Sequence, residues 1–363
     1  MAPSLAGAQA PPLPPNAKVY ATGLEDPRGL RFGPDHHLYV AEAGTGGKNS
    51  TGKACQQVPA PVGPYTGGMT ARISKIGPNG QRTTVASGFP STVDAMGDLI
   101  GVADVVFLDD TLYAVIAGGG CSHGNPTSPT GIARVNVQTG KWVLIADIGD
   151  YLKTHPAQIE NPGDFEPDGT LYSAIAVGDK ILTVEPNHGQ VFSVSKNGEI
   201  RQVVDISAAE GHIVPTSIAA RHDDLLIGNL GLFPITPESA KILTVGRSDD
   251  QDPAPGLRAR GANVLGSKAG FTTVVAVDIG PDGLLYALEL SAAAGFPAAG
   301  NGKVVRVNHE GDIEDVVEGL AVPTGMTFGP DGALYVSNLG AVPAGAAPVG
   351  AGQVLRIVVA PGY

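Results

Sequence analysis

Charge is scarce in this sequence. Lys, Arg, Asp and Glu make up only 16% of 363 residues, and the balance is acidic, with a formal net charge of −12. Without a run of Lys or Arg anywhere, the chain repels phosphate backbones and anionic lipid surfaces, so nucleic acid is not expected as a partner. No apolar stretch approaches about eighteen residues, so no transmembrane helix and no membrane insertion are expected. Aromatic residues are 5% of the chain, which weakens the case for a sugar-stacking platform or an aromatic protein hot spot. The P-loop, the Rossmann fingerprint, the GxSxG elbow and HExxH are all missing, and with them the usual signals of NTP hydrolysis, dinucleotide redox chemistry and α/β-type serine hydrolysis. The NPT at 125–127 carries Pro at the forbidden position and cannot accept an N-glycan.

What the chain does have is 51 Gly and 30 Pro spread through 42% apolar residues, a large core interrupted constantly by turn formers. A hairpin recurs six times: GLRFGPDHHLYVAEAG from Gly29, DVVFLDDTLYAVIAG from Asp104, SAIAVGDKILTVEP from Ser173, SIAARHDDLLIGNLG from Ser217, VAVDIGPDGLLYALEL from Val275 and GMTFGPDGALYVSNLG from Gly325. Further alternating strand pairs follow, such as ARISKIGPNGQRTTVAS and KVVRVNHEGDIEDVVE. Period-two alternation around short Gly/Asn turns is the antiparallel hairpin pattern, and two hairpins make a four-stranded blade. The sequence predicts an all-β, six-bladed β-propeller over residues 17–363, after an Ala/Pro-rich lead-in at 1–16 that reads as a solvated segment, the mature start of an exported protein. The last repeat stops after its third strand. Residues 17–24, AKVYATGL, read like the missing fourth strand, so an N-terminal strand is expected to complete the C-terminal blade and remove a free edge.

The excess length lies at 44–68, 118–130, 151–167, 230–240, 249–270, 291–302 and 340–352. Loops between second and third strands, and connections between blades, leave a propeller on the same side. All the long segments are therefore expected on one face, where function gathers.

Four stretches carry a family resemblance: GPDHHLYVAEAGTGG (33–47), VPTSIAARHDDLLIGNLGLFP (214–234), GFTTVVAVDIGPDGLLYALELS (270–291) and VPTGMTFGPDGALYVSNLG (322–340). With them the chain resembles the bacterial ScyD/ScyE family of scytonemin-biosynthesis-type propellers, distant relatives of NHL-repeat proteins. The resemblance implies an exported, six-bladed protein that is secreted or periplasmic. It supplies no reaction. Blade three departs from the pattern, with ILTVEPNHGQ in place of a YVADAGGN-like strand.

Residue roles come from position. Four residues after each second-strand start lie Glu42, Ile116, Glu185, Asn229, Glu289 and Asn338. Their oxygens suit Ca²⁺, and one Glu raised by burial suits a general acid or base; the plainer reading is that they accept hydrogen bonds from backbone N–H groups. Glu185, in the irregular Pro186-Asn187-His188 context, stands out as a catalytic candidate with His188. His123, His155, His188 and His212 fall on the long-loop face and could hold Zn²⁺ or another divalent metal, or else make ordinary hydrogen bonds. Entry residues of the inner strands, near Arg28, Asp104, Leu171, Thr216, Val275 and Thr324, line the tunnel mouth. Only Asp104 among them is acidic, which argues against a calcium lactonase. Arg28 could clamp a substrate carboxylate or pair with a neighbouring acid. Cys55 and Cys121, in long loops of adjacent blades, suggest a disulfide, with free thiols, one of them near His123, as the alternative. Two functions remain open: a binding or hydrolase- or lyase-like propeller taking an extracellular small molecule, peptide or polymer end, or a non-catalytic scaffold that binds a protein.

Overall fold

The computed structural model describes residues 12–246 and 264–360. Six antiparallel sheets are arranged so that each packs on the next. Blade one holds strands Pro27–Phe32, Leu38–Glu42, Thr66–Ile76 and Arg82–Val93, with a short fifth strand Leu99–Ile100. Blade two holds Val102–Leu108, Thr111–Ile116, Gly131–Val135 and Trp142–Asp147; blade three holds Ala174–Val177, Lys180–Glu185, Gln190–Ser195 and Ile200–Asp205. Blade four is Pro215–Arg221, Asp224–Asn229, Ala240–Gly246 and Val264–Phe271, and blade five is Val274–Ile279, Leu285–Glu289, Ala299–Val307 and Ile313–Ala321. Blade six has three C-terminal strands, Gly325–Phe328, Leu334–Asn338 and Gly352–Ile357, completed by Ala17–Leu24. Ala17 pairs with Ile357 and Leu24 with Gly352, the closure expected from the sequence.

Second strands such as LYVAE, LYALE and LYVSN are buried along their whole length, because both faces of a blade meet a neighbour. Alternation then sends successive side chains to opposite interfaces. Tyr39 and Ala41 join Ile73, Phe89, Val105 and Leu112 between blades one and two, whereas Leu38 and Val40 join Leu24, Tyr335 and Val354 between blades one and six. Six such clusters, one per interface, replace a single central core. Near the axis the blades crowd so closely that a Cβ at Gly29 would lie 2.0 Å from the Asp104 carboxylate.

The long segments at 44–65, 117–130, 155–173, 230–239, 290–298 and 339–351 all leave from the face opposite the tight turns. One expectation needs correction. The excess at 249–270 joins the third and fourth strands of blade four, so it leaves from the tight-turn face. Its residues 247–263, like residues 1–11 of the lead-in, lie outside the described residues. Among the described residues no helix is long and apolar enough to cross a membrane.

Candidate functional site at the tunnel mouth

The polar ring at the second-strand ends serves the backbone. Glu42 Oε2 accepts from Glu25 N at 2.6 Å, Glu185 Oε1 from Thr170 N at 3.0 Å, Glu289 Oε1 from Thr272 N and Asn338 Oδ1 from Ala321 N, both at 2.8 Å. Asn229 donates to Ile213 O and accepts from Lys241 N, both at 2.8 Å. Each thus fastens the chain segment entering its own blade. The ring of calcium-type oxygens is therefore not assembled, because each of these side chains spends an oxygen on a backbone N–H group, as the plainer reading has it.

The histidines also separate. His123 is fully buried; its Nδ1 meets Gly119 O at 2.5 Å and its Nε2 meets Glu166 Oε2 at 3.0 Å. Two acceptors, one on each ring nitrogen, favour the imidazolium, and although burial opposes the charge, Glu166 holds the pKa above its ordinary value. Tyr65 donates to the other Glu166 oxygen at 2.9 Å. His188 Nδ1 lies 3.1 Å from Glu185 Oε2, His212 Nε2 is 2.7 Å from Asp164 Oδ2, and exposed His155 stacks on Tyr151. Among the described residues no group of three or more His, Cys, Asp or Glu side chains could hold a metal ion. The residues present do not fit the Zn²⁺ or other divalent-metal site expected from His123, His155, His188 and His212, because three of these rings each have their own carboxylate and the fourth stacks on a tyrosine. Nor is Glu185 the raised acid that burial alone would make it: burial pushes up, but the His188 charge and hydrogen bonds outweigh it and the pKa is lowered.

These contacts define a strap that sequence reading missed. Residues 155–173 leave helix Ile148–Thr154, turn through a 3-10 turn at Pro162–Asp164 and run over the long-loop face. Asp164 reaches His212, Glu166 reaches His123 and Tyr65, and Asp168 Oδ2 accepts from Ser122 N and Oγ, both at 2.7 Å. The alternating acids of DFEPD, at 164–168, were the available signal. Cys55 and Cys121 form a disulfide with an S–S distance of 2.13 Å, tying together the loops that carry Tyr65 and His123. Such a bond is compatible with an extracellular or periplasmic location.

The strap delivers Tyr172 to the axis, half-buried beside Arg28. Arg28 Nη2 donates to Asp26 Oδ2 at 2.7 Å and to Leu99 O, and its side chain remains 16% exposed. Asp26 sits in a left-handed turn, φ 54°, which recurs at the equivalent Val214, Thr273 and Val322. The repeat dictates that backbone; only blade one places a carboxylate on it among these four. Burial raises the Asp26 carboxyl to about 7 against the pull of Arg28. Its Oδ1 is buried without a close hydrogen bond, although the Val342 backbone N–H approaches the carboxyl and, with Arg28, draws its pKa down. Asp98 opens to solvent at the rim, but the crowded loops raise it too, and Asp94, raised by burial and then by Asp98, reaches about 6. Deeper in the tunnel, Asp104 Oδ2 accepts from Ala174 N at 3.0 Å and burial raises its carboxyl to about 6. A cavity of about 510 Å³ lies elsewhere, against the turn end of blade two, where exposed Asp110, Arg134 and Lys141 make it a solvated groove.

The chain is a six-bladed β-propeller, with Asp26, Asp94 and Asp98, all raised in pKa, together at one mouth of the axis. No protein-family model and no curated protein matches it. Solved structures do. A gluconolactonase from Xanthomonas campestris is 10% identical with a TM-score of 0.53, covering 97% of this chain and 96% of its own. A calcium-binding regucalcin from Agrobacterium tumefaciens is 13% identical, TM-score 0.55, covering 96% and 95%. The pyrroloquinoline-quinone-bound aldose sugar dehydrogenase of Streptomyces coelicolor is 13% identical, TM-score 0.54, covering 97% and 100%. At these identities the likeness is one of fold.

Proposed function

We propose that this protein is an exported, ScyD/ScyE-like propeller that hydrolyses a small carbonyl substrate at the mouth of its long-loop face. The carrying observation is Asp26: a buried carboxyl of about 7, one hydrogen bond from a guanidinium, whose second oxygen has no close hydrogen bond. A carboxylate oxygen without a close protein hydrogen bond is where an ordered water belongs. With a pKa near the working pH, Asp26 takes a proton from that water as its oxygen bonds the carbonyl carbon. Arg28 stabilises the negative charge that develops on the carbonyl oxygen. The tetrahedral centre then collapses, the C–O bond breaks and the proton on Asp26 passes to the departing alkoxide. Hydrolase-type propellers among the structural neighbours support this reading. Glu185 and His188, first singled out as catalytic, become buried supports of the strap.

The test is hydrolysis of p-nitrophenyl acetate and a panel of neutral esters. Activity rises with pH through about 7, and Asp26→Asn lowers it about 10²-fold or more while the protein stays folded. An Asp26→Asn protein with undiminished activity would sink the assignment.

A further inference from the structure

The apolar side chains that remain exposed are unevenly placed. On the long-loop face stand Met96 (44%), Ile159 (50%), Leu232 (55%), Phe233 (45%), Phe296 (58%) and Val349 (73%). The opposite face exposes Val137 in a tight turn and Leu13 and Val358 at the seam of blade six, and Val19, Val143 and Leu265 lie on outermost strands. Phe233 and Phe296 come from different blades yet stack with ring centroids 6.1 Å apart and planes 12° from parallel. Their loops are joined by a two-way backbone bridge, Ile235 N to Gly295 O at 2.6 Å and Gly295 N to Ile235 O at 3.1 Å. The roots of these loops, Leu230 and Leu290, belong to the apolar cluster that also takes Tyr172 and Val342. Tyr172 therefore joins the acid site to the roots of the two aromatic loops.

The polarity of this face is the reverse of a protein-docking patch, which places its apolar part at the centre and its polar part at the rim. Here the centre is charged, with Asp26, Arg28 and Asp98, and the apolar groups stand around it. That arrangement suits a compact polar head in the mouth and an apolar body against the loops. The charged groups decide the charge of the head: Asp94 and Asp98 and −12 overall disfavour an anion, and Arg28, the nearest charge to Asp26 in the mouth, disfavours a cation.

We infer that the substrate is a neutral amphiphile, an acyl or aryl ester whose carbonyl meets Arg28 and Asp26 and whose apolar body lies on Phe233 and Phe296. This deepens the hydrolase reading and rests on it for the chemistry alone; the binding half is tested separately. N-phenyl-1-naphthylamine, a neutral aromatic fluorophore, is titrated into the wild type and Phe233→Ala/Phe296→Ala, with the anionic 8-anilinonaphthalene-1-sulfonate as the charged counterpart. The neutral probe is expected to bind more tightly than the anion and to lose at least about tenfold in affinity in the double variant. In parallel, KM for p-nitrophenyl esters falls as the acyl chain lengthens from acetate to octanoate, and the double variant loses that trend.

Equal affinity for both probes, or a double variant that binds as the wild type does, overturns the proposal. So does sedimentation showing that the double variant turns a dimer into a monomer with probe binding unaltered, which would make the aromatic pair an interface between copies. If Asp26→Asn abolishes hydrolysis but chain length is without effect, the hydrolase reading stands and this inference falls. If no ester is cleaved yet the neutral probe binds through the two phenylalanines, the hydrolase reading falls and the amphiphile site stands.

Discussion

The two halves of the long-loop face are built on opposite plans. Over blades one to three the loops are bound by a disulfide, by the buried His123–Glu166–Tyr65 contacts and by Asp168 on Ser122. Over blades four to six they carry Leu232, Phe233, Phe296 and Val349 into solvent, where the strapped half exposes only Met96 and Ile159 among its described loop residues. Buried charge tolerates little movement, because separating the partners leaves an uncompensated ion in a low-dielectric setting. Exposed apolar groups have no such constraint and can close on a ligand. The difference teaches that the strapped half fixes Tyr172 and the mouth, while the other half is left to meet what arrives.

Breaking the strapped half should cost most at its centre. Glu166→Ala removes the acceptor of both His123 and Tyr65 and is expected to destabilise the protein by about 3–5 kcal/mol in chemical denaturation. A loss below about 1 kcal/mol would show that the triad is not what holds this half. The paired change Cys55→Ser/Cys121→Ser comes next. It opens a loop of 66 positions and should cost about 4 kcal/mol in the chain-entropy model, read as a lower denaturation midpoint that a reductant reproduces in the wild type.

The smallest effect sharpens the comparison through pH. His123 and His188 are both raised in the folded state, so their contribution is fully present below the ordinary value of 6.5 and is lost as pH climbs through the raised one. Asp26 adds to the same trend: its raised carboxyl makes folding least costly when it is protonated, an advantage that fades as pH passes from the ordinary carboxylate range to about 7. The thermal midpoint should therefore drop by roughly 2–4 °C from pH 6 to pH 9, followed by calorimetry. Hydrogen exchange should place that loosening in 155–173 and not in the aromatic loops. A flat profile, or loosening confined to 230–239, would reverse the contrast drawn between the halves.

The propeller was legible because its signals are local and repeated. Each LYV-type strand and each GPD turn states its own place; the Asp of the turn even accepts from the Tyr of the next strand, Tyr39 to Asp35, Tyr286 to Asp282 and Tyr335 to Asp331. The site was less so. His123 and Glu166 are 43 positions apart and Tyr65 is 101 from Glu166, in segments outside the repeat, so no spacing rule joins them. Asp26 could have been found. Setting its PRG beside the VPT at 214–216 and 322–324 shows a carboxylate where other blades have valine, although its burial and its bond to Arg28 are matters of tertiary structure.

One consequence belongs to the seam in blade six. Asn16 and Val358, hydrogen-bonded at that seam, stand 342 positions apart in the chain. A polypeptide leaving a ribosome or a translocation channel N-terminus first must hold residues 17–24 in waiting, with their pairing edge open, until residues 352–357 have emerged. Blades one to five can assemble in order, but the circle is sealed only by its first and last segments together. Closing the ring thus waits on two segments far apart in the chain, and a factor that shields residues 17–24 during that interval would govern yield more than final stability.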